Sequence, residues 1–197
     1  RVVTEVKTFG IKATVFGDNE IQKRKMGGLI AIGQGSVNKP RFIILEYKPA
    51  LKSKKNKKSK AKTIALVGKG ITFDTGGISI KPSKNMGEMK ADMSGAAVVV
   101  GTLIAAAKNN LPIHLFGIIP SAENMVSGES IRPGDVVKIS NGKTVEIEDT
   151  DAEGRVVLAD ALHYASQLKP DQIIDLATLT GACVVALGEF VAGMFTK

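Results

Sequence analysis

Cysteine and histidine are nearly missing from this sequence, and so are long apolar runs. The single cysteine, Cys183, excludes an internal disulfide and fits a reducing compartment; its apolar neighbours predict a small core residue. Two histidines, His114 and His163, are too few for a zinc site built from histidine and cysteine, and both read as structural. No stretch reaches the roughly 18 apolar residues that span a bilayer. The opening Arg1-Val2-Val3-Thr4-Glu5 is charged and unlike a secretory signal. There is no starting methionine, and Phe195-Thr196-Lys197 closes no element, so the expectation is a segment of a longer cytoplasmic protein.

Positive charge is also scarcer than it looks. The net charge is +8, but seven lysines fall within residues 52–62, and without them about one positive charge remains. That run holds no aromatic residue to stack a base. It reads as a solvated loop between strands, with a phosphate-contacting nucleic-acid patch as the lesser alternative.

What is present is the composition of a packed domain: 197 residues, 44% apolar, 21 glycines and 7 prolines. Residues 1–10 predict a short amphipathic helix, 11–16 a strand, 19–25 a polar helix, and 41–47 a buried strand. Residues 63–68 form a continuous apolar strand that breaks into a Gly-rich loop at 70–81. Residues 94–107 read as a small-residue helix, 112–120 as another buried strand, and 136–139 with 144–147 as a hairpin turning at Asn141-Gly142. A helix follows from Val156, then a buried strand over 172–177 and an apolar run over 181–187. Strands of this kind alternating with helices predict an α/β fold, a three-layer αβα sandwich around a mixed, mostly parallel sheet. Ligands in such sheets gather where strands end.

The chemistry concentrates in Asp149-Thr150-Asp151-Ala152-Glu153-Gly154-Arg155. In an extended backbone Asp151, Glu153 and Arg155 would share one face, so the spacing predicts a turn or short extended piece that gathers charge. Asp74 follows another strand end and Asp92 precedes a helix. If those two meet Asp151 and Glu153 at one sheet edge, four carboxylates repel unless cations join them, and two shared divalent ions are the economical solution. Lys69 and Lys81 flank Asp74. They either pair plainly with Asp74 and Asp92, or act as ligand and donor beside the ions. Arg155 opens a helix where its charge meets the positive dipole end, which an anion bound there would offset.

Three segments carry a family resemblance: Gly68-Lys69-Gly70-Ile71-Thr72-Phe73-Asp74-Thr75-Gly76-Gly77, Met89-Lys90-Ala91-Asp92-Met93-Ser94-Gly95-Ala96-Ala97 and Thr150-Asp151-Ala152-Glu153-Gly154-Arg155. In order and spacing they resemble the catalytic domain of the cytosolic leucyl aminopeptidases, and the resemblance covers essentially the whole chain. It implies that residues 1–197 are part of a C-terminal catalytic domain, with an N-terminal domain before it and further catalytic-domain sequence after it. It implies a metalloprotease that removes the N-terminal residue of peptides with a free amine, favouring apolar first residues such as leucine. Lys69, Asp74, Asp92 and Glu153 would hold one ion, and Asp74, Asp151 and Glu153 the other. Zinc or manganese would fill the sites, with magnesium and cobalt as further options. Lys81 would stabilise the oxyanion and Arg155 would hold a bicarbonate. Met89, Thr178 and Gly181 would line the pocket for the first side chain, and the Leu179 backbone would help hold anion and substrate. The intact protein would be a homohexamer without a membrane partner, and the segment alone need not assemble or turn over substrate. One departure is Asp149, where the family has asparagine.

A rival reading sees a calcium loop in Asp149, Asp151, Glu153 and Asp160. It needs a helix before the loop, whereas residues 143–148 alternate like a strand.

Overall fold

Residues 64–67 are apolar without a break, which suits only the interior of a sheet covered on both faces. In the computed structural model, which describes residues 1–49 and 61–196, that segment is the middle of such a sheet. In chain order the elements are α1 (Val2–Lys7), β1 (Lys12–Phe16), α2 (Asp18–Lys23), α3 (Gly27–Gly33), β2 (Arg41–Tyr47), β3 (Thr63–Gly68) and β4 (Gly70–Asp74). A 3-10 segment (Met86–Ala91), α4 (Ser94–Lys108), β5 (His114–Asn124) and the hairpin of β6 (Val136–Lys138) and β7 (Thr144–Glu146) come next. A 3-10 turn (Thr150–Ala152), α5 (Glu153–Gln167), β8 (Gln172–Leu176) and α6 (Ala182–Leu187) complete the order.

The main sheet runs β1-β2-β5-β3-β8, with β4 also paired to β5. Both pairings of β2 are antiparallel; β3 with β5, β3 with β8 and β4 with β5 are parallel. Alternation sorts the strand residues between two cores. Ala65, Val67 and Ile118 face α3 and α5, where they meet Leu29, Ile32, Val157 and Ala161. Leu66 and Ile119 face the other way, onto Val6 of α1 and Val99 and Leu103 of α4. Helices thus cover both sides, as the sequence predicts, and the hairpin forms where Asn141-Gly142 places it.

Several expectations change. Residues 70–81 are not all loop, since their first five form β4. The segment at 172–177 is apolar but not buried: among the described residues β8 pairs only with β3, and Ile173 and Ile174 are 39% and 47% exposed. Helix α6 beyond it has no buried residue, so Cys183 is half-buried and not a core residue. The helical stretch Met86–Lys108 is 23 residues with hydropathy 1.3, so one segment does meet the length and composition of a membrane span. It is built as two pieces joined at Asp92 and Met93, and α4 lies against β3, β5 and β2 of the sheet. The lysine run lies, over residues 52–60, outside the described residues.

Two features of the fold aim the site. The pairing of β4 with β5 breaks register: Ile71 stands opposite Ala122 and Phe73 opposite Glu123, leaving Thr72 as an extra residue. Ile71 points into the core beneath α5. By strict alternation Asp74, three residues later, would point to the opposite face; the bulge resets the count and turns Asp74 back toward α5. The second feature is Gly95 in the first turn of α4. A Cβ there would collide with the Leu176 carbonyl oxygen, so only glycine lets α4 sit this close to the end of β8. The closeness lets Lys69 N–H donate to Leu176 O (3.0 Å) and Ala96 N–H to Lys69 O (2.9 Å), which fixes the backbone of Lys69.

Candidate metal centre

Four carboxylates and two lysines meet at the C-terminal ends of β3, β4 and β5. The oxygens of Asp74, Asp151 and Glu153 lie within 4.8 Å of one another. Asp74 is 2% exposed; its Oδ1 accepts from Gly76 N–H and from Asn124 Nδ2, both at 2.9 Å, while Oδ2 faces Lys81 Nζ at 3.0 Å. Lys81 Nζ also contacts Asp151 Oδ1. Glu153 opens α5 at 1% exposure, and its Oε1 binds Lys69 Nζ at 2.7 Å. Asp92 joins through the same lysine, with Oδ1 at 2.8 Å from Lys69 Nζ and accepting from Thr178 Oγ1 at 2.8 Å. The third donor of Lys69 goes to Thr178 O at 3.0 Å.

Four carboxylates against two ammonium groups leave an excess of two negative charges. At 4.8 Å two like charges repel by about 3 kcal/mol even at an effective dielectric near 20. The titration directions follow. Burial pushes the Glu153 carboxyl up to about 7, with Asp74 and Asp92 adding to the rise and Lys69 opposing it. Burial likewise raises Asp92, against the pull of Lys69. Burial raises Asp151 too, against Lys81 and with help from Asp74 and Asp149. Burial acts to lower both lysines, but Glu153 and Asp92 hold Lys69 above its ordinary value, and Asp151 and Asp74 hold Lys81 well above it. The plain ion-pair reading of the lysines therefore describes this arrangement, with the partners shared differently than expected: Lys69 takes Asp92 and Glu153, Lys81 takes Asp74 and Asp151. Asp92 Oδ2 and Glu153 Oε2 are buried with no hydrogen-bond donor among the described residues. Buried carboxylate oxygens without donors, in excess over nearby cations, suit divalent ions with oxygen ligands.

The acidic turn is a turn, but not one with a single charged face. Thr150–Ala152 is 3-10 and the helix begins at Glu153, so Arg155 lies roughly 200° around the axis from it. Glu153 is buried while Arg155 is exposed, with no ion pair or hydrogen bond to Arg155 among the described residues. Asp149 Oδ1 caps the turn by accepting from Asp151 N–H at 2.8 Å, a bond an asparagine oxygen would also make. Asp160 is fully buried and accepts from Leu29 N–H and Ser140 N–H, away from Asp151, and β7 rather than a helix precedes the loop. This geometry excludes the calcium-loop reading. His114 pairs with Glu46 and His163 with Gln167, both away from the acids.

Of the predicted pocket residues, Thr178 reaches the acids through Asp92. Met89 is half-buried in the 3-10 segment, and Leu179 and Gly181 are exposed on the chain leading into α6. Sequence reasoning missed Asn124, Thr150 and Ser79. Thr150 is fully buried; its Oγ1 donates to Gly76 O at 2.6 Å and accepts from Ser79 N–H at 2.8 Å, tying the turn to the loop after Asp74. Its place inside the acidic motif was the only available signal.

Fold and site together define a three-layer α/β protein with a carboxylate-rich centre suited to divalent cations. Residues 1–197 match the profile of the cytosol aminopeptidase family, catalytic domain, and the chain belongs to that family. It is 56% identical over 192 residues to the "Probable cytosol aminopeptidase" of Chlorobium limicola, covering 97% of this chain and 37% of that protein. The namesake from Aquifex aeolicus is 53% identical over 189 residues, covering 96% and 37%. Among solved structures, the bottromycin maturation enzyme BotP superposes with a TM-score of 0.85 at 45% identity, over 95% of this chain and 38% of that one. The same enzyme in complex with Mn gives 0.86 at 44% identity, over 95% and 40%. The chain thus spans little more than a third of the relatives it matches.

Proposed function

We propose that this chain is the metal-holding part of the catalytic domain of a longer, cytoplasmic aminopeptidase. The enzyme would release the N-terminal residue of peptides and favour apolar first residues such as leucine. The observation that carries the reading is the meeting of Asp74, Asp151 and Glu153 within 4.8 Å in a chain of this family. Lys69, Asp74, Asp92 and Glu153 would hold one divalent ion and Asp74, Asp151 and Glu153 a second. Zinc or manganese is the leading choice, and the Mn complex of BotP supports it; magnesium and cobalt suit the same donors. When bound, such a pair supplies a water of lowered pKa and a polarised carbonyl.

The chain's own side chains do the remaining work. Lys69 spends its three N–H groups on Asp92, Glu153 and Thr178 O, so its nitrogen becomes a ligand only after losing a proton. Asp92, beside the first ion, would accept a hydrogen bond from the substrate's free α-amine, which would restrict cleavage to the first residue. Lys81, half-buried at the mouth, donates to the oxygen of the scissile carbonyl as negative charge develops there. Arg155 would hold a bicarbonate beside the N–H groups that open α5, as proton acceptor for the attacking water. Met89, Thr178 and Gly181 would border the first side chain, with the Leu179 backbone holding anion and substrate. Turnover would need the rest of the polypeptide, assembled as a homohexamer.

The test uses the full-length protein. Elemental analysis is expected to find divalent ions in the wild type and to find them depleted in Asp74→Ala and Glu153→Ala, which also lose hydrolysis of leucine amide. N-acetylated substrate is expected to resist. Full activity in either variant would refute the ligand assignment, and ready cleavage of the acetylated substrate would refute amine anchoring.

A further inference from the structure

Asn124 is the last residue of β5 and is 2% exposed. Its side-chain amide carries two N–H groups, and both are spent on segments that carry proposed ligands. One donates to Asp74 Oδ1 at 2.9 Å and the other to Thr150 O at 3.0 Å. Asp74 ends β4, directly opposite Asn124 in the sheet, and Thr150 starts the turn that delivers Asp151 and Glu153. A single amide therefore bridges two segments that lie far apart in the chain. Both partners are acceptors only, a carboxylate and a carbonyl, so the amide orientation is dictated: nitrogen toward the acids, oxygen away. The backbone of the same residue adds a further tie, since Asn124 O accepts from Thr75 N–H at 3.0 Å and from Thr75 Oγ1 at 2.9 Å.

We propose that Asn124 is a positioning residue for the metal centre, holding Asp74 in the rotation that presents Oδ2 and fixing the distance from Asp74 to the acidic turn. The inference rests on the metal-centre reading above. Its chemical basis is the asymmetry of Asp74. Oδ1 already receives Gly76 N–H and Asn124 Nδ2, whereas Oδ2 meets only Lys81 Nζ and is the oxygen left for a cation. Without the amide, Oδ1 keeps a single donor, the carboxylate turns more freely, and the turn loses its tie to β5. Few other side chains could replace it. Aspartate would set lone pairs against the Asp74 carboxylate and the Thr150 carbonyl, serine offers one donor, and leucine has the bulk but no donor. A partner that orients a ligand typically changes metal affinity by about 10–100-fold when removed.

The experiment measures Mn2+ dissociation constants of the full-length protein by competition with a chelating dye, on wild type, Asn124→Leu, Asn124→Ser and a control, Ile118→Val. Ile118 is fully buried in the sheet opposite Val67 and is not one of the donors to Asp74, so the control loosens the fold without altering those donors. The expected result is Mn2+ binding weakened by about 10–100-fold in both Asn124 variants and unchanged within about twofold in the control. Saturating Mn2+ is expected to restore most of kcat. Unchanged affinity in folded Asn124→Leu and Asn124→Ser overturns the proposal, as does an equal loss in Ile118→Val. If both Asn124 variants fail to fold, the residue belongs to the frame of the sheet and not to the centre, which also overturns it. A wild type that takes up no Mn2+ would bring down the metal-centre reading itself, an outcome distinct from the others.

Discussion

Replacing Gly154 with alanine sets two effects of known sign against each other. Alanine inside a helix is more favourable than glycine by about 1 kcal/mol, so Gly154→Ala near the start of α5 would, on propensity alone, stabilise the protein. The structure opposes this. A Cβ on Gly154 would lie 2.9 Å from Lys69 Cε, 3.0 Å from Nζ and 3.1 Å from Cδ. Ordinary carbon contacts begin near 3.5 Å, so the lysine must retreat by roughly 0.5 Å or more. It has little room, because its ammonium is held by Glu153 at 2.7 Å, Asp92 at 2.8 Å and Thr178 O at 3.0 Å. Losing one such charge-assisted bond costs about 1.5–3 kcal/mol, which outweighs the helix gain of about 1 kcal/mol and leaves a net loss of about 0.5–2 kcal/mol. Gly101, in the middle of α4, has open space where a methyl group would stand, with nothing outside its own stretch of helix within 4 Å, and isolates the propensity effect. Thermal unfolding of the chelator-treated full-length protein is the assay. Gly101→Ala is expected to raise Tm and Gly154→Ala to lower it, with weaker Mn2+ uptake in Gly154→Ala alone. A Gly154→Ala protein as stable as Gly101→Ala, with wild-type Mn2+ uptake, would refute the claim that Lys69 is confined.

Deleting Thr72 removes the bulge in β4, so Asp74 is expected to face away from α5; divalent-ion uptake should be abolished in protein that still gives a native circular dichroism spectrum, and retained uptake would count against the role of the bulge. At Glu46 burial pushes the carboxyl up, but hydrogen bonds and charges from Lys48 and His114 outweigh it and hold the group below its ordinary value. A lowered folded-state value contributes stability above the unfolded pKa of about 4.3 and loses it as pH falls toward the folded value. Thermal melts of Glu46→Gln between about pH 5 and pH 3 should therefore show a shallower acid limb than wild type, and parallel limbs would remove Glu46 from the account.

The layered fold was legible because residues 64–67 are apolar throughout and residues 115–119 are apolar apart from Gly117, which leaves them no place but the sheet interior. The acids were legible because charge next to strand ends and helix starts is costly unless matched. Strand β4 was hidden by its glycine and by the bulge at Thr72, which breaks the period of two on which strand reading depends. Burial of β8 was overestimated for a different reason: composition reports what a segment prefers to cover, not whether a neighbour arrives to cover it. The shared face of Glu153 and Arg155 failed because the helix begins at Glu153, not at Val156 as the extended reading assumes. Asn124 left no trace, since a lone asparagine at a strand end fits no periodic pattern, and its importance arises only when β4 and the acidic turn are brought to its two N–H groups.

The open flank of the sheet has a practical consequence. Among the described residues, strand β8 has a partner on one side only, with Ile173 and Ile174 at least a third exposed and Val185, Phe190 and Phe195 exposed in the chain beyond. Such a border is a template onto which any extended chain can add itself. A preparation limited to these residues should behave as an adhesive ribbon, associating with its own copies as concentration rises, and a lysine at position 174 should keep it dispersed.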